Sequence, residues 1–376
     1  MDLRAFIEEN TDLMYRTLKE LCRIPAPSHF EHKRAEYCKQ WLENVGAAGV
    51  YIDAALNVVV PMNCEGSKEL TVFVAHTDTV FPDMEPLPYT DDGEKIHCPG
   101  VGDDTASLVH LLLVVKYMVE NQITPPKGML FVCNSCEEGL GNLKGTRQIF
   151  KDYTGRIAQF VSFDGADLHK IANDCAGSHR FEVEVLTEGG HSFGKFGSAN
   201  AINEQAKIIN RIYNIQVPQK EGTRTTYNVG TITGGTSVNT IAQSAKMLCE
   251  YRSDDKECLA FMQEEFKTIF AEARTEKVQV KVTQVGDRPC SNVDKEAQDV
   301  LTAKLETVFK AVFGWGMERK TSSTDCNIPL SMGIPAVCIA TYSGEGAHTR
   351  EEWVEKASLA PGLEVAIKTV LLLMED

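Results

Sequence analysis

The stretch over residues 70–104 contains several side chains that can bind a metal ion. His76 and Asp78 directly follow an apolar run over 70–75, which is typical of a buried strand. Side chains two residues apart in extended backbone project to the same side, so this imidazole and this carboxylate can approach one point. Asp103 and Asp104 lie side by side on a Gly-rich turn. Each signal alone is weak, since a His and an Asp near a strand end are more often a surface pair, and an Asp pair before a helix is more often an N-cap.

Further acidic and imidazole side chains follow other predicted strands. Glu137 and Glu138 come after the strand over 129–134, Asp164 after the strand over 158–163, and His348 after the strand over 336–340. An isolated Glu-Glu pair is more often a solvent-exposed acidic turn. The carboxyl ends of parallel strands meet at one edge of a sheet, however, so we expect these groups to gather there.

The combined set contains two imidazoles and three carboxylates, which suits two divalent ions of zinc character. Its members are His76, Asp103, Glu138, Asp164 and His348. If Asp103 bridges, each ion receives one His and one terminal carboxylate, and the ions lie roughly 3.5 to 4 Å apart with a shared water. Asp78 would then orient His76 through its other ring nitrogen, and the remaining Glu137 would act as a general base.

The order of strands and helices predicts an α/β fold with a doubly wound, mostly parallel sheet. Strands are predicted over 51–61, 70–75, 129–134, 158–163 and 336–340, with 51–61 next to 70–75, and helices over 3–21, 31–45, 107–121, 142–151, 295–313 and 359–374. The segment 179–287 differs, because its strands alternate charged and apolar residues. It predicts an inserted α+β sandwich with strands over 180–187, 226–233, 245–252 and 277–285 and helices over 199–213 and 257–273. The predicted domains are therefore 1–178 and 288–376, which together form the catalytic domain, and the insertion 179–287.

Composition limits which binding partners and which cellular compartment are expected for the protein. The net charge of −15 over 376 residues argues against nucleic acid or an anionic membrane as a partner. The charged N-terminal residues predict no signal peptide. Twelve Cys without framework spacing predict reduced, mostly buried thiols and a cytoplasmic location. Cys133 and Cys136 form a C-x-x-C, for which a redox role is the minor alternative.

The ordered motifs A-H-T-D-T-V, G-V-G-D-D, C-E-E-G, F-D-G and G-A-H-T-R-E-E resemble the two-zinc metallopeptidase family of peptidase T, dipeptidase V, glutamate carboxypeptidase, acetylornithine deacetylase, succinyl-diaminopimelate desuccinylase and aminoacylase. The resemblance covers nearly the whole chain. It implies that His76, Asp103 and Asp164 hold one zinc ion and that Asp103, Glu138 and His348 hold the other, with Co²⁺ or Mn²⁺ as substitutes. Asp78 would be the supporting aspartate and Glu137 the base.

The same resemblance makes the insertion the family's lid and dimerisation domain. His191, in G-G-H-S, would stabilise an oxyanion, and Asn239 and Arg252 would bind substrate carboxylate or carbonyl groups; a turn histidine, a loop cap and a surface cation are the respective alternatives. A homodimer through the helix over 199–213 is implied. Asp325 and Glu352 match family positions near the site. Thr105 stands where the family usually has Lys, so local substrate or loop contacts are expected to differ.

The residues and the resemblance together predict zinc-dependent hydrolysis of amide bonds. The family tends to have Asp at the position of Asp164 in aminopeptidase-type members and Glu in carboxypeptidases and deacylases, which favours a peptidase T-like enzyme acting on short peptides. An N-acyl amino acid deacylase or carboxypeptidase is the alternative within the family. A catalytically silent binding protein and a C-x-x-C oxidoreductase are the alternatives outside it.

Overall fold

The computed structural model describes residues 2–375, which belong to two compact units. One unit comprises Met1–Cys175 with Asn292–Asp376, and the other comprises Ala176–Ser291. The predicted insertion over 179–287 falls inside the bounds of the second unit.

Residues 2–175 contain four α-helices and eight strands. The helices are α1 (Leu3–Cys22), α2 (His32–Asn44), α3 (Ser107–Glu120) and α4 (Lys144–Asp152). A short, irregular helical turn over Val101–Ala106, the wound turn, precedes α3. The strands are β1 (Tyr51–Ile52), β2 (Val58–Met62), β3 (Leu70–His76), β4 (Thr90–Asp91), β5 (Lys95–His97), β6 (Gly128–Asn134), β7 (Ile157–Phe163) and β8 (Lys170–Cys175).

The inserted unit and the last segment supply the remaining elements. The unit contains β9 (Gly177–Leu186), β10 (Gly190–His191), α5 (Ala201–Tyr213), β11 (Thr225–Gly234), β12 (Thr240–Ile241), β13 (Ser244–Ser253), α6 (Lys256–Glu272) and β14 (Gln279–Arg288). The last segment contains α7 (Lys295–Phe313), β15 (Glu318–Ser322), α8 (Asn327–Ser331), β16 (Ala336–Ile339), β17 (Gly344–Glu345), β18 (Trp353–Glu355) and α9 (Lys356–Met374).

The first unit is built on an eight-stranded sheet in the order β1-β2-β6-β3-β7-β16-β8-β15. Its centre is parallel, from β6 through β3 and β7 to β16. Apolar side chains cover both faces: Phe73 and Ala75 of β3 enter one core with α1, α3 and α9, while Val72 and Val74 enter a second core with α4 and α8. Burial of each Val or Phe side chain among these contributes about 1.5–3 kcal/mol. The predicted doubly wound, mostly parallel sheet is confirmed.

Two predicted features of this sheet are wrong. The expected strand over 51–61 is broken into β1 and β2, because the Asp53 carboxylate accepts hydrogen bonds from the backbone N–H groups of Ala55 and Asn57 and closes a turn. The expected pairing of this segment with β3 does not form, since β6 lies between β2 and β3. Strands β8 and β15, and a small sheet in the order β17-β18-β5-β4, were not predicted.

The second unit is an antiparallel sheet in the order β11-β13-β9-β14, with α5 and α6 packed on one face. This arrangement confirms the predicted α+β sandwich. A separate two-stranded ribbon joins β10 to β12.

Helix α9 is long and apolar enough to cross a membrane by length and composition, and within the described chain it is the helix that meets this test. Half of its most apolar window is buried inside the first unit, as in the core helix of a folded domain.

Candidate metal centre

The predicted ligands converge at the carboxyl end of the parallel strands. His76 is the last residue of β3, Glu138 follows β6, and Asp164 follows β7. Asp103 lies in the wound turn before α3, at a point where its backbone leaves helical geometry. His348 was expected after the last parallel strand, and it lies beyond β16 in the turn between β17 and β18 of the small sheet, with a left-handed backbone. Pairing of β18 with β5 holds that turn.

Asp103 lies between the two imidazoles. Its Oδ1 is 3.0 Å from Nε2 of His76, and its Oδ2 is 3.1 Å from Nε2 of His348. Each oxygen of one carboxylate thus faces a different imidazole, which is the arrangement that a bridging ligand requires. The same Nε2 of His348 is 3.1 Å from Oε1 of Glu138.

The ligand atoms fall into compact groups. His76, Asp103 and Asp164 form one group, and Asp103, Glu138 and His348 form another; within each group the ligand atoms lie within 4.8 Å of one another. These are the two trios that the sequence implied, and they share Asp103. Glu137 joins His76 and Glu138 in a third group of the same kind.

The carboxylates of this cluster repel one another. Burial, together with the charge of Asp103, raises the pKa of Glu138 to about 7 and raises the pKa of Asp164 well above its ordinary value. Burial also opposes ionisation of Asp103, but hydrogen bonds from His348 and His76 outweigh it and hold the pKa of Asp103 below its usual range. Hydrogen bonds to Asp103 and Glu138 raise the pKa of His348 to about 10.

This crowding fits a centre for divalent cations. Several carboxylates share a small buried volume, and the described residues place no Lys or Arg nitrogen within 4 Å of Asp103, Glu138 or Asp164. A cation would relieve the repulsion, and imidazole with carboxylate donors suits zinc and related metals. The residues present therefore fit two ions, held by the two trios.

Asp78 organises the turn that carries the glutamates. Its Oδ1 accepts the backbone N–H of Glu137 at 2.9 Å, and its Oδ2 accepts that of Glu138 at 3.0 Å. The carboxylate was expected to orient His76, but the Nδ1 atom of His76 is nearer to the backbone oxygen of Asp78, at 3.0 Å, than to its Oδ1, at 3.4 Å. A carbonyl can only accept, so Nδ1 carries a proton and Nε2 is left for a metal ion.

Glu352 holds the Gly-rich turn from the other side. Its Oε2 accepts the backbone N–H of Gly100 at 2.5 Å, and its Oε1 accepts those of Gly102 and Asp103 at 2.9 and 2.8 Å. Burial is the main cause that raises the pKa of Glu352 to about 7. The side chain is only 2% exposed, and its contact with Asp103 is to the backbone N–H of that residue.

Glu137 is buried beside this cluster, in the group that it forms with His76 and Glu138. Asp325, whose role the sequence left insecure, accepts hydrogen bonds from Asn134 at 2.6 Å and Thr146 at 2.5 Å. Burial, followed by the charge of Glu137, raises the pKa of Asp325 to about 7. The charge of Glu137 thus acts on Asp325, whose two hydrogen bonds reach none of the five ligands.

The candidate substrate residues of the inserted unit do not form one cluster. His191 and Asn239 are close, since β10 pairs with β12 and the Ser192 N–H donates to the Asn239 backbone oxygen at 3.0 Å. Nδ1 of His191 accepts the N–H groups of Phe193 and Gly194, so Nε2 carries the proton of the neutral ring.

Arg252 lies near the far end of β13, whose first residue, Ser244, follows soon after Asn239 in the chain. Eight residues separate Arg252 from Ser244, which is roughly 26 Å at strand rise. It is engaged with Glu250, whose two carboxylate oxygens accept its Nε at 2.8 Å and a terminal nitrogen at 3.0 Å. The same carboxylate also accepts Nε of Arg180 at 3.1 Å, so Arg252 is held within the unit by a glutamate that it shares with a second arginine.

The C-x-x-C thiols are buried and face different partners. Cys133 lies beside Cys38, and Cys136 Sγ lies 3.1 Å from Glu31 Oε1 and 3.4 Å from His29 Nδ1. The hydrogen bond with Cys38, followed by burial, raises the pKa of Cys133 well above its ordinary value, and burial is the main cause that raises the pKa of Cys136. Neither the exposure nor the pairing that a C-x-x-C oxidoreductase needs is present at these two residues.

Comparison with known proteins agrees with this geometry. The model of peptidase family M20/M25/M40 matches residues 72–372. Carboxypeptidase G2 of Pseudomonas sp. (strain RS-16) is 23% identical over 361 residues, covering 88% of this chain and 84% of that protein. A tripeptidase structure from Staphylococcus aureus superposes with a TM-score of 0.76 at 22% identity, covering 98% of this chain and 99% of that one.

A third likeness concerns the metal. The YXEP protein of Bacillus subtilis, described as a dinuclear metal binding peptidase, superposes with a TM-score of 0.64 at 15% identity, covering 98% of this chain and 99% of that one. Because the family model matches well over half of the residues, the chain belongs to peptidase family M20/M25/M40 and is a metallopeptidase that hydrolyses peptide or amide bonds.

Proposed function

We propose that this metallopeptidase is a two-zinc enzyme that removes residues from the amino end of short peptides, as a peptidase T-like aminopeptidase. The observation that carries the proposal is Asp103, whose two oxygens face His76 and His348 separately. A pair of ions held there by the two trios would polarise the scissile carbonyl and favour ionisation of the attacking water.

The protein's own groups supply the proton transfers and the alignment. Glu137, a carboxylate outside the two trios and within 4.8 Å of ligand atoms of His76 and Glu138, takes the proton of the attacking water and returns it to the leaving amine. Asp78 fixes that base by accepting the Glu137 backbone N–H. The role of His191 as a donor to the developing oxyanion, which the family resemblance implies, stays a prediction.

The preference for an amino-terminal substrate rests on Asp164, which closes the trio with His76 and Asp103 as an Asp rather than a Glu. The named tripeptidase among the structural neighbours supports the same substrate class. The second candidate is a carboxypeptidase or N-acyl amino acid deacylase, and the likeness to carboxypeptidase G2 favours it.

End-blocked peptides separate the two candidates. We expect the zinc-loaded protein to cleave a tripeptide and its carboxyl-terminal amide, and to leave the N-acetyl tripeptide intact, because an aminopeptidase must recognise a free amino group. N-acetyl and N-succinyl amino acids complete the panel. Cleavage of only the acylated substrates, or of the N-acetyl tripeptide in preference to the amide, would replace the aminopeptidase proposal by the second candidate.

A further inference from the structure

The turns that carry the candidate ligands are in contact with one short segment, residues 28–34, which the sequence patterns did not single out. Ser28 Oγ donates to Oδ2 of Asp78 at 2.6 Å and lies 3.3 Å from the backbone oxygen of Glu138. Glu31, fully buried, accepts the backbone N–H of Cys136 at 3.0 Å. Through these hydrogen bonds the segment supports both the turn after β3 and the turn after β6.

Arg34, in the first turn of α2, makes the longest connection. Its Nε donates to the backbone oxygen of Ile24 at 2.8 Å. One terminal nitrogen donates to the backbone oxygen of Thr77 at 3.0 Å and to Oγ1 of Thr105 at 3.2 Å. Thr77 belongs to the turn after β3, and Thr105 belongs to the wound turn over Val101–Ala106. A single guanidinium therefore joins two ligand-bearing turns that are far apart in sequence.

The guanidinium is buried without an ion-pair partner. Arg34 is 2% exposed, and within residues 2–375 no carboxylate oxygen lies within 4 Å of its nitrogens. Burying a cation without a paired anion is unfavourable, so a role in packing alone would be better filled by an apolar side chain. What an apolar side chain cannot supply is a rigid planar set of N–H donors directed at three acceptors.

Thr105 transmits the contact to the start of the Gly-rich turn. Its hydroxyl accepts from Arg34 and donates to the backbone oxygen of Gly100 at 2.5 Å. Gly100 is also the residue whose N–H Glu352 accepts. The chain from Arg34 through Thr105 to Gly100 therefore fixes the side of the turn opposite to Glu352. A lysine at 105 would enter the space that the guanidinium fills, which gives the Thr at this position a structural reason.

We propose that Arg34 is a positioning residue of the metal centre, which fixes the spacing between the turn that carries His76 and the turn that carries Asp103. Metal–ligand distances in well-formed sites lie within about 0.2 Å of their standard values, so the spacing between these turns affects how well the ions are held. The proposal rests on the ligand assignment of the proposed function, but it does not depend on which substrate is cleaved.

The test compares three variants by zinc affinity and by stability. Arg34→Met removes the donors and keeps an unbranched apolar chain, Thr105→Val removes only the hydroxyl link, and Leu42→Ala opens a cavity at the other end of the same helix. Zinc dissociation constants come from competition with a chromophoric chelator, and stability comes from urea unfolding of the metal-free proteins.

We expect Arg34→Met to weaken zinc binding 10- to 100-fold, as loss of a supporting contact to metal ligands does in other sites. Thr105→Val should weaken zinc binding in the same direction by a smaller factor. Leu42→Ala should lower the urea midpoint and leave the zinc dissociation constants unchanged, because Leu42 is buried far along α2 from the ligand turns.

Zinc affinity equal to that of the wild type in folded Arg34→Met would overturn the proposal. If Arg34→Met does not fold, Thr105→Val decides, and unchanged zinc affinity in that variant overturns it. A further outcome is that the variants bind zinc more weakly while the wild type binds two zinc ions but cleaves no peptide. That result would uphold the positioning role and refute the proposed function instead.

Discussion

Glu352→Gln is expected to weaken the metal centre without touching a ligand side chain. The carboxylate accepts three backbone N–H groups of the turn that ends in Asp103, from Gly100, Gly102 and Asp103 itself. A glutamine amide retains one oxygen, which can keep the two bonds that Oε1 makes, while its NH₂ group must face the Gly100 N–H.

The magnitude follows from this exchange. One hydrogen bond to a charged acceptor is lost, at about 1.5–3 kcal/mol, and the two that remain change from charged to neutral acceptors of roughly half the strength. The turn relaxes part of this loss by moving, so we expect about 1.4–2.8 kcal/mol to appear as a 10- to 100-fold weaker zinc affinity and a similar fall in kcat/KM.

The assay is chelator competition at pH 8, above the pKa of about 7 that burial gives Glu352, so that the wild-type side chain is ionised. Glu351→Gln is the matched control, because it makes the same charge change at the neighbouring exposed position. Zinc affinity in Glu352→Gln equal to that of Glu351→Gln would refute the idea that this carboxylate holds Asp103 in place.

Three further predictions follow. Glu137→Gln should keep two zinc ions by metal analysis and lose peptide turnover by at least about 10²-fold, because the base is removed and the trios remain; retained turnover would exclude Glu137 as the base. His348→Ala should retain about one zinc ion per chain, since the trio with Asp164 keeps its ligands; two retained ions would contradict the assignment. His110→Gln should flatten the pH dependence of stability. Burial lowers the pKa of His110 from 6.5 to about 3, so on acidification the unfolded chain binds a proton before the folded chain does. The wild type therefore loses about 2 kcal/mol of stability from this group between pH 8 and pH 5. Urea unfolding at both pH values measures it, and equal pH dependence in both proteins would show that folding does not lower the pKa of His110.

The predicted homodimer through the helix over 199–213 and the cytoplasmic location stay predictions. Sedimentation of the purified protein at working concentration measures the former.

The sequence by itself was sufficient to predict the fold class and to propose a candidate ligand set. Apolar runs such as 70–75 are long and β-branched enough to mark the central strands. His76 ends one such strand, Asp164 directly follows another, and Glu138 lies four residues after a third. Side chains at the ends of adjacent parallel strands are brought together by the hydrogen bonding of the sheet, so position along the chain was sufficient to predict that they meet.

Only the tertiary structure decided strand order and the supporting contacts. Nothing in the run over 51–61 shows that it pairs with β6 rather than β3, because strand order depends on which edges remain open after the helices pack. Arg34, Glu31 and Glu352 form hydrogen bonds with backbone groups up to 252 positions away, and backbone groups carry no residue-specific signal. Side-chain chemistry could therefore be read locally, whereas the backbone contacts that hold the ligands in place exist only once the chain has folded.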